Sequence, residues 1–247
     1  KIETLSTYPI KGFSPYFLER VDLEVGGVFP QDRAFALKRG DWYFDETDPG
    51  YHFKTKFFML LKDEKIAELH PRFSLQDQTV EFTMANGEVK KYRLGNKEGR
   101  AILGKFLTDF LDPNEALSIV TAKDHSMSDV PMQVASMINL ESVKDLARNI
   151  GQTVDPIRFR GNIYFSETAP WEELNWVGKR LKMGTTEFKV VKRIERCKAT
   201  HVDPATGIRD LGVVPALYQH YGHYDMGIYA EVIKAGTTKP GDQIIVL

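Results

Sequence analysis

Closely spaced turn residues divide this chain into short alternating segments, and this pattern limits the folds open to it more than any other feature. Residues 2–8 alternate roughly between apolar and polar side chains until Pro9 ends the pattern. Two further alternating stretches, 79–84 and 88–94, flank Asn86-Gly87, a pair preferred in tight type I′ hairpin turns. Many short strands joined by regular turns predict a mainly β protein, built from barrels or sandwiches.

Further strands are expected along the rest of the chain, at 33–38, 42–44, 155–165, on both sides of Gly184-Thr185 and in a C-terminal hairpin over 224–247. Few helices interrupt them. Apolar residues at three- and four-residue spacings predict a helix over 97–111. A second helix is predicted over 140–150, with Asn139, Ser142 or both as its cap and Gly151 as its stop. A short third helix is expected near 214–221.

The turn-forming triplet at 112–114 ends the first helix and marks a boundary in the chain. We therefore predict two domains, 1–115 and 116–247. A chain of 247 residues is long enough for two small domains or one large one, each with its own core.

Composition excludes several classes of protein. The net charge of −1 gives no sign of binding to nucleic acid or to an anionic membrane. The longest apolar run, 57–61, is too short to span a bilayer, which predicts no membrane segment within this chain. The single cysteine fits a reducing compartment, and we expect a cytoplasmic protein; a targeting segment ahead of Lys1 would not be visible here.

That cysteine, Cys197, ends a strand-like run and stands beside Arg196 and Lys198. Positive charge favours the thiolate, which is the nucleophilic and metal-binding form of the side chain. The turn that follows contains Asp203, which can accept backbone hydrogen bonds, and Gly207, which tolerates a positive φ. Two interpretations stay open on these residues alone: a reactive thiolate, or a small buried apolar side chain.

Six short motifs, in order along nearly the whole chain, resemble those of one family. They are YPIKG at 8–12, QDRAFAL at 31–37, FRGNI at 159–163, WEELNWVG at 171–178, ERCKATHVDPATG at 195–207 and GDQIIVL at 241–247. Together they are similar to the MOSC family, whose domain is named after the C-terminal part of molybdenum cofactor sulfurases. The resemblance is to two-domain members such as the amidoxime-reducing components. It implies a MOSC β-barrel fused to an N-terminal β-barrel-like domain, with few short helices.

The resemblance also implies a cofactor, Mo-molybdopterin, with the Cys197 thiolate as protein ligand to molybdenum. Thiolate is a suitably soft ligand, and the pterin phosphate needs cationic and backbone donors. The residues expected to bind the cofactor are Lys11, Gly12, Arg33, Asn139, Ser142, Arg160, Asn162, Arg196 and Cys197.

A catalytic group of Cys197, His201 and Asp203 is expected from the same motif. His201 replaces a threonine of the family pattern; it is either a proton donor near the metal or a polar residue filling the threonine site. Gly12 stands where the family often has serine, which removes a hydroxyl contact. Gly161 replaces a proline, which is expected to loosen that turn.

The predicted function is therefore an oxidoreductase that reduces N-hydroxylated compounds such as amidoximes and hydroxylamines at molybdenum. Its partners would be a small-molecule substrate and a separate electron donor of flavoprotein or ferredoxin type, because the chain has no cysteines for an iron–sulfur cluster. The alternative is a carrier of the molybdenum cofactor, or of sulfur as a persulfide on Cys197, without reductase activity.

Overall fold

The computed structural model describes residues 1–84, 86–115, 117–122 and 124–247, and this part of the chain is mainly β. The strands are β1 (Ile2–Thr7), β2 (Tyr16–Leu18), β3 (Val21–Leu23), β4 (Phe35–Arg39), β5 (Arg72–Ser74), β6 (Thr79–Thr83), β7 (Val89–Arg93), β8 (Leu117–Thr121), β9 (Ala135–Asn139), β10 (Ile163–Phe165), β11 (Arg180–Met183), β12 (Thr186–Glu195), β13 (Asp225–Lys234), β14 (Gly236–Thr238) and β15 (Ile244–Val246). The α-helices are α1 (Lys97–Leu111), α2 (Leu140–Ile150) and α3 (Val213–Tyr221). None of the helices in the described residues combines the length and the hydropathy that a membrane span requires.

The helices form where the sequence predicts them, and their ends show why. The Asn96 side chain accepts a hydrogen bond from Gly99 N–H at the start of α1, and Asp112 ends that helix in the left-handed conformation. Asn139 caps α2 by accepting from Glu141 N–H, and Gly151 with φ 73° ends it. The three helix predictions are confirmed.

One eight-stranded sheet, curled like half a barrel, holds most of the second half of the chain. Its strand order is β15-β11-β12-β13-β9-β10-β1-β2, and only the β9–β10 pair is parallel among the described strands. The N-terminal strands β1 and β2 thus lie in the same sheet as strands from beyond residue 130. The division at residue 115 stays a prediction.

Three small sheets complete the fold. The predicted hairpin is present as β6 and β7, extended by β5, although its turn contains Ala85, outside the described residues. The other two small sheets, β4–β8 and β3–β14, each join a strand from before residue 115 to one from after it. Both parts of the chain are therefore tied together by backbone hydrogen bonds at several points.

Some strand predictions are wrong. Residues 42–44 form no strand; instead the Trp42 and Phe44 rings pack edge-on against Phe57. Residues 155–165 contain a 3-10 helix, Pro156–Phe159, and only the short strand β10, because Arg160 turns the chain with φ 51°. The C-terminal segment is not a hairpin, since β14 pairs with β3 and β15 pairs with β11.

Two apolar cores flank the region between the large sheet and the N-terminal segments. The larger core lies on the large sheet and includes Ile2, Phe188 and Ile228. The second core includes Ile10 and Leu103, and Ala199, close after the cysteine, packs against it. Leu60, a member of this second core, and Ala199 also line an open cavity.

Candidate functional site

A cavity of about 260 Å³ opens where the large sheet meets the N-terminal segments. Its wall is formed by the end of β12, by Tyr229 in the middle of β13, by residues 158–162 before β10, and by the segments 11–12, 54–61 and 128–136. Cys197 lies on this wall. Seven of the lining side chains are cationic and two are carboxylates; the cations are Lys11, Arg33, Lys54, Arg158, Arg160, Lys192 and Arg196. This charge excess suits an anionic ligand.

Arg33 and Arg160 sit together on one aromatic ring. The centres of their guanidinium groups lie 4.7 and 4.3 Å from the centroid of the Tyr8 ring. Arg33 also donates from Nη2 to the Arg160 carbonyl at 3.0 Å and pairs with the buried Asp32 carboxylate. Both residues have a backbone φ of 51°, which turns the chain at each of them. The two motifs that carry these arginines are thereby held side by side.

Arg160 carries an unsatisfied donor in this arrangement. Its Nη2 is buried and has no hydrogen-bond partner among the described residues. Burial, reinforced by the positive charge of Arg33, lowers the pKa of Arg160 to about 10, so the group is still charged at neutral pH. A buried cationic donor without an acceptor is costly, and an oxyanion in the cavity would relieve that cost.

Lys11 is buried on the same wall, and its charge is already paired. Its Nζ donates to the Met127 carbonyl at 2.9 Å and forms a salt bridge with Asp129. Burial lowers the pKa of Lys11, while the Asp129 carboxylate opposes that change. Gly12, the next residue, has φ 91°, a conformation that a serine side chain would strain.

Asn162 serves as an internal brace. Its Oδ1 accepts from the Ser136 N–H and hydroxyl at 3.0 and 2.9 Å, and its Nδ2 donates to Asp32 at 3.0 Å. Only 1% of the residue is exposed. Asn162 therefore lines the cavity wall, and its side-chain amide is occupied in fixing β9 against the Asp32–Arg33 turn.

Cys197 is half-buried at the cavity wall, between the end of β12 and the 3-10 helix Lys198–His201. Its carbonyl accepts from Thr200 N–H at 3.1 Å and from the Thr200 hydroxyl at 2.9 Å. The preceding Arg196 donates to the Met226 and Phe159 carbonyls, each at 2.8 Å, which ties this strand end to its neighbours. The thiol is thus presented by a well-anchored backbone.

His201 and Asp203 lie behind this turn and do not line the cavity. The Nε2 of His201 accepts from Val214 N–H at 3.2 Å. Burial, with the charges of Arg209 and Lys198, lowers the pKa of His201, which leaves the imidazole neutral. Asp203 accepts from Ala205 N–H at 2.7 Å and faces the buried Arg158 guanidinium at 3.3 Å.

Asn139 and Ser142 also lie away from the cavity. Both donate to the buried Glu173 carboxylate, from Asn139 Nδ2 at 2.9 Å and from the Ser142 hydroxyl at 2.8 Å. The Ser142 hydroxyl in turn accepts from Trp171 N–H at 2.8 Å. The polar residues of this segment are therefore used to cap α2 and to hold Glu173.

The structure adds cavity residues that the motifs did not indicate: Lys54, Asp129, Arg158, Lys192 and Tyr229. Arg158 stands two residues before Arg160, next to a recognised motif. Lys192 and Tyr229 are directly opposite one another in the β12–β13 register. Asp129 comes from an irregular loop and Lys54 from the one-turn 3-10 helix Lys54–Lys56, and segments this short or irregular have no periodicity that sequence pattern could detect.

The Gly161 position shows a compensation that the sequence alone did not reveal. Its N–H donates to the Tyr164 hydroxyl at 2.8 Å, and that hydroxyl also lies 2.9 Å from the hydroxyl of Tyr8. Proline has no N–H and could not make the first bond. The turn that glycine was expected to loosen is thus held by Tyr164, whose hydroxyl contacts that of Tyr8, the ring beneath the two arginines.

These features define a mainly β protein with an open cavity, lined mostly by cationic and apolar side chains, and with one thiol on the cavity wall. Comparison with known sequences identifies the domain family: residues 124–245 match the model of the MOSC domain. The second half of the chain belongs to the MOSC domain family, as its motifs indicate.

Curated relatives agree with this assignment. A molybdenum cofactor sulfurase from Caenorhabditis elegans is 28% identical over 92% of this chain and 33% of its own length. A protein of the same name from Caenorhabditis briggsae is 33% identical over 97% of this chain and 34% of its own length. The chain spans about a third of the length of these curated relatives.

Solved structures show weaker likeness. The YuaD protein from Bacillus subtilis aligns with a TM-score of 0.44 at 12% identity, covering 99% of this chain and 93% of that protein. YiiM from Geobacillus stearothermophilus aligns with a TM-score of 0.36 at 18% identity, covering 46% of this chain and 53% of that protein.

Proposed function

We propose that the chain binds the molybdenum cofactor in this cavity and uses it to reduce N-hydroxylated compounds such as amidoximes and hydroxylamines. The observation that carries the proposal is that the only cysteine and a half-buried arginine, whose buried Nη2 has no partner among the described residues, lie on one cationic cavity wall. The MOSC domain match and the names of the curated relatives support a function related to this cofactor.

The residues present fit such a group. Its phosphate is an oxyanion, which suits the free Nη2 of Arg160 and the neighbouring Arg33 guanidinium. Its metal suits a soft thiolate ligand, which Cys197 offers from a half-buried position. Bound there, the cofactor would supply the two-electron redox chemistry of the reaction.

The chain's own residues would bind and orient. Arg33 and Arg160 would hold the phosphate, while Asn162 keeps β9 fixed against the Asp32–Arg33 turn. Arg196 anchors the backbone on the N-terminal side of Cys197 through its bonds to two carbonyls. We assign His201 and Asp203 as positioning residues for the Cys197 turn, because their side chains are bonded to backbone N–H groups behind it.

Reduction of an amidoxime breaks its N–O bond, consumes two electrons and two protons, and releases an amidine and water. The proposed source of electrons is a separate flavoprotein or ferredoxin-type donor. We place the protein in the cytoplasm as part of this proposal, since a chain with one free cysteine fits a reducing compartment.

Turnover of benzamidoxime with reduced methyl viologen tests the proposal directly. The protein, purified from a host that makes the cofactor, should form benzamidine. The Cys197→Ala variant should lose at least about a hundredfold in rate, about 2.7 kcal/mol of barrier, at nearly unchanged melting temperature. Equal turnover by the two proteins would contradict the proposed role of the thiolate.

A second candidate function is carriage of the cofactor or of sulfur, and the names of the relatives favour it. Both are called molybdenum cofactor sulfurase, and the chain corresponds to about a third of each. In this case Cys197 would carry a persulfide and no substrate would be reduced. Mass spectrometry and pterin analysis distinguish the candidates: a mass increase of one sulfur atom on Cys197, without bound pterin or turnover, supports the sulfur carrier, and bound pterin without turnover supports the cofactor carrier.

A further inference from the structure

Two pairs of cationic side chains on the cavity wall each have one carboxylate partner and differ in where that carboxylate lies. The arginine pair is Arg33 and Arg160 on the Tyr8 ring; Arg33 pairs with the buried Asp32, and the Nη2 of Arg160 has no partner among the described residues. The lysine pair is Lys11 and Lys54. Their Nζ atoms lie 2.5 and 3.9 Å from the two carboxylate oxygens of the exposed Asp129. One of the two positive charges of the lysine pair is therefore compensated from within the chain.

Asp129 stands out among the acidic residues of the cavity. The other lining carboxylate, Glu195, is exposed and forms no salt bridge with any described residue. The Asp129 side chain is 46% exposed, whereas the side chain of Lys11 is only 7% exposed. An exposed carboxylate that pairs with a buried ammonium group can leave at lower cost than the ammonium group can move, because water is ready to solvate it.

The segment that carries Asp129 also permits such a movement. Residues 124–134 contain no helix or strand. The segment is fixed on one side by Met127 N–H, which donates to the Arg33 carbonyl at 3.0 Å. Apart from its salt bridges, Asp129 makes one hydrogen bond within the described part of the chain, in which its backbone carbonyl accepts from the Tyr51 hydroxyl at 3.3 Å. The carboxylate can thus rotate away while Met127 continues to accept from Lys11.

We propose that Lys11 and Lys54 form a second oxyanion subsite, and that Asp129 fills it as an internal competitor until an anionic ligand displaces the carboxylate. The ligand class is a phosphate-bearing small molecule whose other oxygens reach Arg33 and Arg160. This inference deepens the proposed function, on which its biological ligand rests. The subsite itself can be tested on the protein without any cofactor.

Isothermal titration with inorganic pyrophosphate, on protein from a host that does not make the cofactor, measures the competition. Asp129→Asn should bind pyrophosphate about tenfold more tightly than the parent, because the amide leaves both lysines uncompensated. Asp129→Glu keeps the charge and should stay near the parent value. Glu195→Gln removes the same charge from the same wall and should change Kd by less than about twofold.

The proposal is overturned if Asp129→Asn binds pyrophosphate no more tightly than the parent, or if Glu195→Gln gives the same gain. A second pair of variants covers the case in which Asp129→Asn does not fold. Lys54→Met should weaken pyrophosphate binding several-fold, whereas Lys144→Met, at an exposed position on α2, should leave it unchanged. Equal Kd values for these two variants would also overturn it.

The experiments distinguish a failure of the Lys11–Lys54 subsite from a failure of the proposed function. Tighter pyrophosphate binding by Asp129→Asn, with no molybdenum in the parent protein from a cofactor-producing host, would support the subsite and contradict its proposed ligand. Molybdenum in the parent protein, with no increase in pyrophosphate affinity in Asp129→Asn, would support cofactor binding and contradict the role of Asp129 as a competitor.

Discussion

Single residues decide how the cavity works, and they differ in how far sequence predicts them. The motifs that carry Lys11, Arg33, Arg160 and Cys197 are far apart in the chain, yet the structure places these four side chains around one cavity. The charge state of that cavity could not be predicted, because the partner of Lys11 is Asp129, from an irregular loop. Asn139 and Ser142 were expected at the cofactor and instead bind Glu173, since helix capping uses the same polar residue types.

A proline at position 161 tests whether the hydrogen bond from Gly161 N–H holds the turn that carries Arg160. Gly161→Pro would remove the N–H that donates to the Tyr164 hydroxyl, and it disfavours the left-handed backbone of Arg160 just before it. We expect a loss of about 1–3 kcal/mol in the free energy of unfolding, measured by urea denaturation.

The Tyr164→Phe background provides the control for this prediction. Without the hydroxyl, the proline should cost measurably less, since part of its effect in the parent is the lost hydrogen bond. An unchanged free energy of unfolding in Gly161→Pro would show that this bond does not hold the turn.

At the scale of elements, the helices were easier to predict than the strands. Apolar spacing and caps set the bounds of α1 and α2, which depend on local sequence. Strand partners depend on distant residues, which explains why the C-terminal segment pairs with β3 and β11 and forms no hairpin. Residues 42–44 have strand-like composition, but Trp42 and Phe44 are used to pack against Phe57.

The contact between α2 and the 3-10 helix Glu172–Asn175 predicts a pH dependence. Burial raises the pKa of Glu173 above its ordinary value of 4.5, although the Asn139 and Ser142 hydrogen bonds lower it in part. The folded state then keeps the proton to higher pH than the unfolded state does. The stability from this group is full below the unfolded pKa and is lost as pH rises through the folded pKa.

Urea denaturation at a series of pH values above and below 4.5 checks the direction of this pH dependence. The free energy of unfolding of the parent, relative to Glu173→Gln, should fall as pH rises above 4.5, by about 1.4 kcal/mol for each unit of raised pKa. Glu172→Gln, at the exposed neighbouring position, should show no such trend. A relative stability that rises with pH would mean that the carboxylate form is the one that the cluster favours.

At the scale of the whole molecule, strand pairs and one apolar core join residues of the two predicted domains. β1 pairs with β10, and the sheets β4–β8 and β3–β14 each join the two parts of the chain. Ile2 and Leu5 lie in the same core as Phe188. Sequence pattern marked the boundary at residue 115 because a helix ends there, but which strands lie side by side is set by the tertiary fold.

Differential scanning calorimetry should therefore show one unfolding transition for the chain, with calorimetric and van't Hoff enthalpies in agreement. The shared core and the paired strands leave neither part able to unfold without exposing the apolar surface of the other. Two separated calorimetric transitions would contradict this coupling. Limited proteolysis that cleaves only residues 1–115 and leaves the rest of the chain folded would also contradict it.

The central claim is that this cavity holds a molybdenum cofactor through Cys197, and the content of molybdenum and pterin tests it most directly. Both should be measured in the parent protein and in Cys197→Ala, purified from a host that makes the cofactor. The account predicts near-stoichiometric molybdenum and pterin in the parent and loss of molybdenum in the variant. Absence of both from the parent, or equal molybdenum in the two proteins, would contradict it.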